Sequence, residues 1–422
     1  MSNEFSLLRM CSLGLVEATR TSTPAQVVRS LLAMQGQQVS AVPHAIAARL
    51  STQGPRETSG TDAAAVWQAF ASHQILRSWP MRGTVHISTR EDHHWLRAAL
   101  AHRYGPSRFT DAELTRSADI ATEVIARTGG ATRADLRRAW EEDGLIDPAS
   151  EDAQARRRAF LLRLHIEGIA VGAQQVAGEH LIVDATQLPD ADSSPVGVGV
   201  AFGQANHDAA LAQIAARYAW GHGPVCAADL ARWTGLSVSV SARALRHAVE
   251  ASASSPAGTT GGIAIGPLVW VRAVYEGDVE VGVELCTHAP SATASGTART
   301  KHAGGVGMRG FYVMRADLLD ILSENRQEAE ALHYLPSFEE LHVGFKNRLS
   351  LTDAAGEKLI CPTNNGLFRP LLVEGGRVIA VNPVNKGLLW AQDIHVTEDM
   401  DQRVRMAIAD MRERLGVEGN GS

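Results

Sequence analysis

Three stretches of this 422-residue chain repeat one order of elements, two or three helical runs followed by a short alternating segment that fits a β-hairpin. In the first, about residues 5–96, Thr23-Pro24-Ala25-Gln26 reads as an N-cap with proline at N1, opening a helix through Met34, and a second helix covers 63–72. An extended segment, 76–88, follows, where Thr84, His86 and Ser88 alternate with Val85 and Ile87 as in a strand with a polar face. In the second, helices over 120–127, over 133–141 behind a Thr132 cap, and over 153–167 precede strands at 169–171 and 180–183 with a turn at 175–178. The third runs from 207 to about 270, with helices over 209–218, 227–234 and 239–251, and Thr234-Gly235-Leu236-Ser237 as the step between the last two.

This order is the outline of a winged helix-turn-helix, in which a second helix follows DNA and the hairpin wing lies beside it. Helical triplets with a hairpin also serve as protein–protein modules, so the pattern leaves both uses open. Beyond a flexible linker at 252–262, short apolar strands alternate with glycine turns to about residue 395, as in a small barrel or curved sheet, and the tract 289–310 reads as a mobile loop. The expected fold class is α+β. Three tandem winged-helix units are expected over 1–110, 111–200 and 201–262, and a small β-barrel or curved sheet over 263–422.

With 45% hydrophobic and 20% charged residues, the composition is that of an ordinary soluble protein of about two to four domains. No basic segment leads into an apolar one at the N-terminus and no run of about 18 apolar residues occurs, so a cytoplasmic protein without membrane association is expected. Cys11, Cys226, Cys286 and Cys361 stand far apart without metal-ligand spacing, and neither a zinc site nor a disulfide framework is expected. The net charge of −6 excludes a uniformly basic coat but not local basic patches. Lysine occurs only at Lys301, Lys346, Lys358 and Lys386, so the positive charge is almost all arginine, which suits bidentate phosphate contacts. A GC-rich genome produces the same bias.

Chemistry concentrates at Gln35-Gly36-Gln37, between two apolar helical runs. A helix would turn residues i and i+2 about 200° apart, whereas an extended or turned backbone puts them on one side. Gly36 and Pro43 favour the second arrangement. Glycine disfavours continuing the helix, and Pro43 pushes Val42 towards extended geometry and suits the first turn of a helix over 44–50.

Five segments carry a resemblance to a known family: M-Q-G-Q-Q-V-S-A-V-P-H-A-I-A-A-R-L at 34–50, R-S-W-P-M-R-G-T-V-H-I at 77–87, G-P-V-C-A-A-D-L-A-R-W-T-G-L at 223–236, L-P-S-F-E-E-L-H-V-G-F-K-N-R at 335–348 and N-G-L-F-R-P-L-L-V-E-G-G-R-V at 365–378. In this order they resemble the winged-helix DNA glycosylases of the AlkZ/YcaQ type, which excise N7-alkylated purines and unhook interstrand crosslinks. The resemblance implies three tandem winged helices closed by a C-terminal β-barrel into a C-shaped, DNA-sized channel. It also implies that the catalytic Q-x-Q or Q-x-D motif falls on Gln35 and Gln37. Here the usually hydrophobic middle residue is Gly36, the usually acidic following residue is Gln38, and the glycine-threonine-tryptophan strand end is replaced by Ala380-Val381-Asn382-Pro383.

On this reading Gln35 and Gln37 orient a hydrolytic water and accommodate the developing sugar cation, with no cofactor, no metal and no lysine Schiff base. Candidate DNA contacts are Arg82, Thr84 and His86 on the first wing, Arg156, Arg157, Arg158 and Arg163 on the second unit's third helix, and Arg243 and Arg246 at i and i+3 in the third. His342, Lys346 and Arg348 in the barrel segment are candidates for backbone contact. Solvated arginine faces and a structural strand histidine fit the same residues. The expected partner is double-stranded, damaged DNA, and the chain is expected to act as a monomer. A non-catalytic DNA-binding protein, regulatory or architectural, is the alternative, and an interaction scaffold without nucleic acid is a third.

Overall fold

The first helix, Glu4–Ser12, carries apolar side chains on every face, and a helix of that kind has to be enclosed. Phe5, Leu7, Leu8, Met10 and Cys11 are all fully buried, and Asn3 caps the helix by accepting from the Ser6 amide. The computed structural model to which it belongs describes residues 3–53, 60–101, 108–189, 194–254, 258–260, 263–286, 306–363, 366–384 and 386–417. Most of the loop expected over 289–310 lies outside these residues. The architecture is mixed α and β, and the chain divides into two compact units, one of residues 1–66 and 212–422, the other of residues 67–211.

In the unit 67–211, strands Ile75–Met81, Thr84–Thr89, Ala170–Val176 and Glu179–Asp184 form one antiparallel array in which Ile75–Met81 lies between Thr84–Thr89 and Ala170–Val176. The first hairpin turns at Arg82-Gly83, both at positive φ, and its register shifts between Ser78 and Met81, where Pro80 removes a ladder donor. The second turns at Ala177-Gly178, again both at positive φ, as a two-residue hairpin turn requires. Helices Asp111–Thr128, Arg133–Glu142 and Ala153–Ile166 surround a core of Phe109, Leu136, Trp140, Phe160 and Leu164. Two of the helices start in capping boxes, Thr110 with Glu113 and Thr132 with Asp135. The first begins nine residues before the 120–127 expected from periodicity, because the Thr110 cap lies upstream of its apolar stripe.

In the other unit, helices Ala227–Thr234 and Val238–Ser254 meet at Gly235, whose left-handed backbone (φ +81°) ends the first of them. Strand Leu268–Glu276 pairs on one side with Val279–Leu285 and on the other with Val306–Arg315, and a separate sheet runs His333–Leu335, Leu371–Glu374, Arg377–Val381, Leu389–Trp390. Among the described residues these sheets do not close into a barrel. Helices also interrupt the strand alternation expected to residue 395: Leu318–Glu324, Arg326–Glu330, Glu340–Val343 and Ala354–Ile360, followed by the 18-residue Glu398–Leu415. Strand periodicity is the wrong template there, because Leu318 and Leu322, four residues apart on one helix, are both buried, as is Ala329 on the next. The Ala380-Val381 strand end is fully buried against Leu389–Trp390, and the Asn382 amide donates to the Tyr334 hydroxyl. Among the described residues no helix is long and apolar enough to cross a membrane.

Candidate active site

The Thr23 N-cap forms as read from the sequence, and it closes a capping box: the Thr23 side chain accepts from the Gln26 backbone amide and the Gln26 side chain accepts from the Thr23 backbone amide. The helix Pro24–Ser30 then stops four residues short of the expected Met34. Leu32 turns the backbone into the left-handed region (φ +65°) while its side chain stays fully buried, so apolar burial rather than a glycine terminates this helix. Two groups from helix His207–His222 meet this helix end: the Arg217 guanidinium donates to the Arg29 carbonyl at 2.5 Å, and Gly221 allows a close approach, since a Cβ there would lie 2.4 Å from the Ser30 carbonyl.

Met34 and Gln35 are extended, the chain bends at Gln37 and Gln38 after Gly36, and a 3-10 turn, Val39–Ala41, leads into helix Val42–Ala47. The two glutamines therefore lie on the extended and bent backbone that can present both amides to one side, not on a helix. Gln35 is half-buried, Gly36 buried and Gln37 exposed. Val42, expected to be extended before Pro43, is instead helical (φ −60°, ψ −46°), because the 3-10 turn delivers the chain already curled and Pro43 enters within the first helical turn.

Two adjacent carboxylates hold this turn from either side. Glu340 Oε1 accepts the Gln35 amide at 2.6 Å, and its Oε2 lies 3.5 Å from Nε2 of His222, which is fully buried. Glu339 pairs with Arg49, just past the helix that follows the turn, and Arg49 also donates to the carbonyls of Leu13 and Ala45, both at 2.8 Å. The same helix carries His44, whose Nε2 meets the Tyr334 carbonyl at 2.9 Å and whose pKa burial lowers to about 4, so the ring is neutral at pH 7. Both members of the Arg49–Glu339 pair are buried, so removing one strands a charge in the interior. R49A is expected to cost about 3–5 kcal/mol of unfolding free energy in urea titrations, while R49M with E339M recovers most of the loss.

The segment carrying these glutamates is itself pinned along its length. The Tyr218 hydroxyl donates to the Gly344 carbonyl at 2.7 Å, and Asp229 Oδ1 accepts the Lys346 amide at 2.7 Å. Arg9 lies over the Phe345 ring at 3.8 Å, donates to the carbonyls of Pro224 and Asn347 at 3.2 and 3.1 Å, and pairs with Asp229 at 3.4 Å. The cations of this segment stand out in the sequence, whereas Glu339, Glu340, Arg49, His222, Arg9 and Asp229 do not. The E-E-L-H-V-G-F-K-N-R run was the available signal, but Gln35 lies 305 residues from Glu340 and no local pattern links them.

The other candidates occupy varied surroundings. His86 is buried, not on a polar solvent face, and its Nδ1 meets the Thr84 carbonyl at 2.9 Å; Ser88 is buried as well, because both faces of this strand are covered. Thr84 is half-buried, and Arg82 stands at the hairpin turn. Arg156 pairs with Glu113 and Asp152, Arg157 with Glu141, and Arg163 with Glu167. Arg348 and the buried His342 both meet Glu357, and His342 lies on the short helix Glu340–Val343. Lys346 and Arg243 are exposed and Arg246 is half-buried. Among the described residues no three metal-ligating side chains gather into a possible ion site.

The family model for AlkZ-like DNA glycosylases matches residues 28–264, more than half of the chain and including the whole glutamine turn. The chain belongs to the AlkZ-like DNA glycosylase family. Its fold is similar to that of a solved Streptomyces sahachiroi DNA glycosylase AlkZ, with a TM-score of 0.63 over 99% of this chain and 98% of that one at 14% identity. At that identity the likeness is one of fold. No curated protein sequence matches. As an AlkZ-like family member the protein is a DNA repair glycosylase, a hydrolase acting on DNA.

Proposed function

We propose that this AlkZ-like glycosylase hydrolyses the N-glycosidic bond of N7-alkylated purines in duplex DNA, and unhooks interstrand crosslinks formed through that nitrogen, with Gln35 and Gln37 placing the water. Alkylation at N7 makes the purine cationic, so the base leaves without strong acid catalysis. The water oxygen bonds to C1′, the bond from C1′ to N9 breaks with its electron pair passing to the base, and the water gives up a proton to solvent. A glutamine carbonyl accepts from that water while the neutral amide donates elsewhere, and a carbonyl facing the sugar stabilises its growing positive charge. The reaction is monofunctional and needs no cofactor.

The observation that carries this reading is the extended and bent backbone at Gln35 and Gln37, one half-buried and the other exposed. The deciding experiment is base release from duplexes containing 7-methylguanine or a nitrogen-mustard crosslink, compared with a variant lacking both amides. Release from neither substrate would end the proposal.

The same reading takes the helical triplets with their hairpins as three winged helices, followed by a strand-rich C-terminal domain, acting as a monomer on damaged double-stranded DNA. Lys346, Arg243, Arg246 and Arg82 are proposed phosphate contacts, together with Arg156, Arg157, Arg163 and Arg348, which also meet carboxylates. Neutralising Lys346, Arg243 and Arg246 together is expected to flatten the dependence of log binding constant on log salt by about 0.9 for each phosphate that the protein no longer neutralises. An unchanged slope would place the phosphate-binding side chains elsewhere.

A further inference from the structure

We infer that Glu340 is a positioning residue for the glycosylase reaction, fixing the entry to the Gln35-Gly36-Gln37 turn through the Gln35 amide. The inference rests on the reading of Gln35 and Gln37 as the pair that places the water. Gly36 has no side chain with which to anchor the turn to a core, so the backbone has to be held another way. The Glu340 carboxylate supplies one such hold, on the Gln35 amide at 2.6 Å, from a side chain only 3% exposed, and a hydrogen bond to a charged acceptor in such a place is stronger than one between neutral groups. Its other oxygen, Oε2, faces His222 across 3.5 Å inside the aromatic group of Tyr218, Trp233 and Phe345, which stack on or edge the imidazole at 4.5, 5.8 and 6.2 Å. Gly344 keeps the space beside Oε2 open, since a Cβ there would lie 3.1 Å from that oxygen and 2.6 Å from the Glu340 carbonyl.

One oxygen of this buried carboxylate thus accepts from the turn, while the other lies beside the buried imidazole. Glu340 touches no reacting atom on this account. It acts through Gln35, where a small displacement of a water-orienting amide is enough to cost rate.

The test separates reach from charge. E340D keeps the carboxylate but withdraws it by about 1.5 Å, one carbon–carbon bond, whereas E340Q keeps a carbonyl oxygen at full reach. Single-turnover release of 7-methylguanine is expected to fall about thirtyfold or more in E340D, the loss of one hydrogen bond to a charged acceptor, and to remain at least about tenfold higher in E340Q. Affinity for a duplex carrying an abasic-site analogue stays within about twofold of the parent in both, which general damage to the fold would not allow. Amide exchange in a peptide covering residues 31–40, followed by mass spectrometry, rises in E340D and stays near the parent rate in E340Q. E340D releasing base at the parent rate, or the two variants losing rate equally, would overturn the inference. Q35A with Q37A, run alongside, tells the two failures apart: an inactive double variant beside a fully active E340D condemns only Glu340, and a fully active double variant condemns the glutamine reading itself.

Discussion

Replacing Gln35 and Gln37 together with alanine is expected to lower the single-turnover release of 7-methylguanine by about 10²–10³-fold, the range found when preorganised polar groups aimed at a transition state are removed. Affinity for the duplex should change little, because neither amide carries the charge that meets phosphate. The loss belongs in the chemical step, since water placement matters only once the sugar begins to develop positive charge. Single substitutions should not sum to the double, because two groups that place one water act as a unit. Undiminished base release by the double variant would refute the assignment, and equal losses of rate and affinity would point to a collapsed turn. Purified protein, a radiolabelled duplex and a parallel measurement of binding to an abasic-site analogue distinguish these results.

The second large effect is on stability in mild acid. Burial, aided by Arg77 and Arg133, depresses the pKa of His165 to about 3; burial likewise takes His44, His180 and His333 to about 4, against the hydrogen bond each makes to a backbone carbonyl. Burial also holds His93 well below the ordinary range, with His94, Arg97 and His165 adding to the effect. In each case the folded state keeps the ring neutral while the unfolded chain binds a proton below about pH 6.5. The unfolded state therefore holds more protons in that range, and stability present above pH 6.5 is lost as pH falls towards 4. Each such histidine withdraws up to about 1.4 kcal/mol per pH unit. Against a typical reserve of about 5–15 kcal/mol, several acting together place the acid midpoint between about pH 5 and 6. Glu17 and Glu113, both held at about pKa 2, do not contribute to this window. Burial opposes the shift at Glu17, where hydrogen bonds from Ser51, Thr52 and Arg20 outweigh it, and Arg156 and Thr110 supply it at Glu113. Those carboxylates lose their contribution only below about pH 4.5. Urea midpoints at pH 7.5, 6 and 5 check the sign, and equal midpoints would show that the histidines are not held neutral. Both compact units should weaken together, since His44 and His333 belong to one and His93, His165 and His180 to the other.

Local signals were readable where the determining partners are close in sequence. Thr23 before Pro24 and Thr132 before Arg133 marked helix starts that the structure contains, because an N-cap and its box partner lie three residues apart. The helix Ala227–Thr234 and the Ala177-Gly178 turn were legible for the same reason. The helix end at Ser30 was not, since Leu32 adopts a left-handed backbone only because burial compensates for it. The alternation of Thr84, His86 and Ser88 marked a polar strand face, and His86 and Ser88 are buried, because a period of two records which residues share a face and not what covers it.

The candidate site divides along the same line. By itself the sequence determined that two amides flank one glycine where a helix would not continue, and five ordered segments carried the family. Only the tertiary structure decided that Glu340 holds the Gln35 amide, that Glu339 pairs with Arg49, and that Arg156 and Arg157 of the helix Ala153–Ile166 meet carboxylates. A capping interaction is written within one helical turn, whereas a hydrogen bond spanning 305 residues exists only after the chain has buried both of its ends.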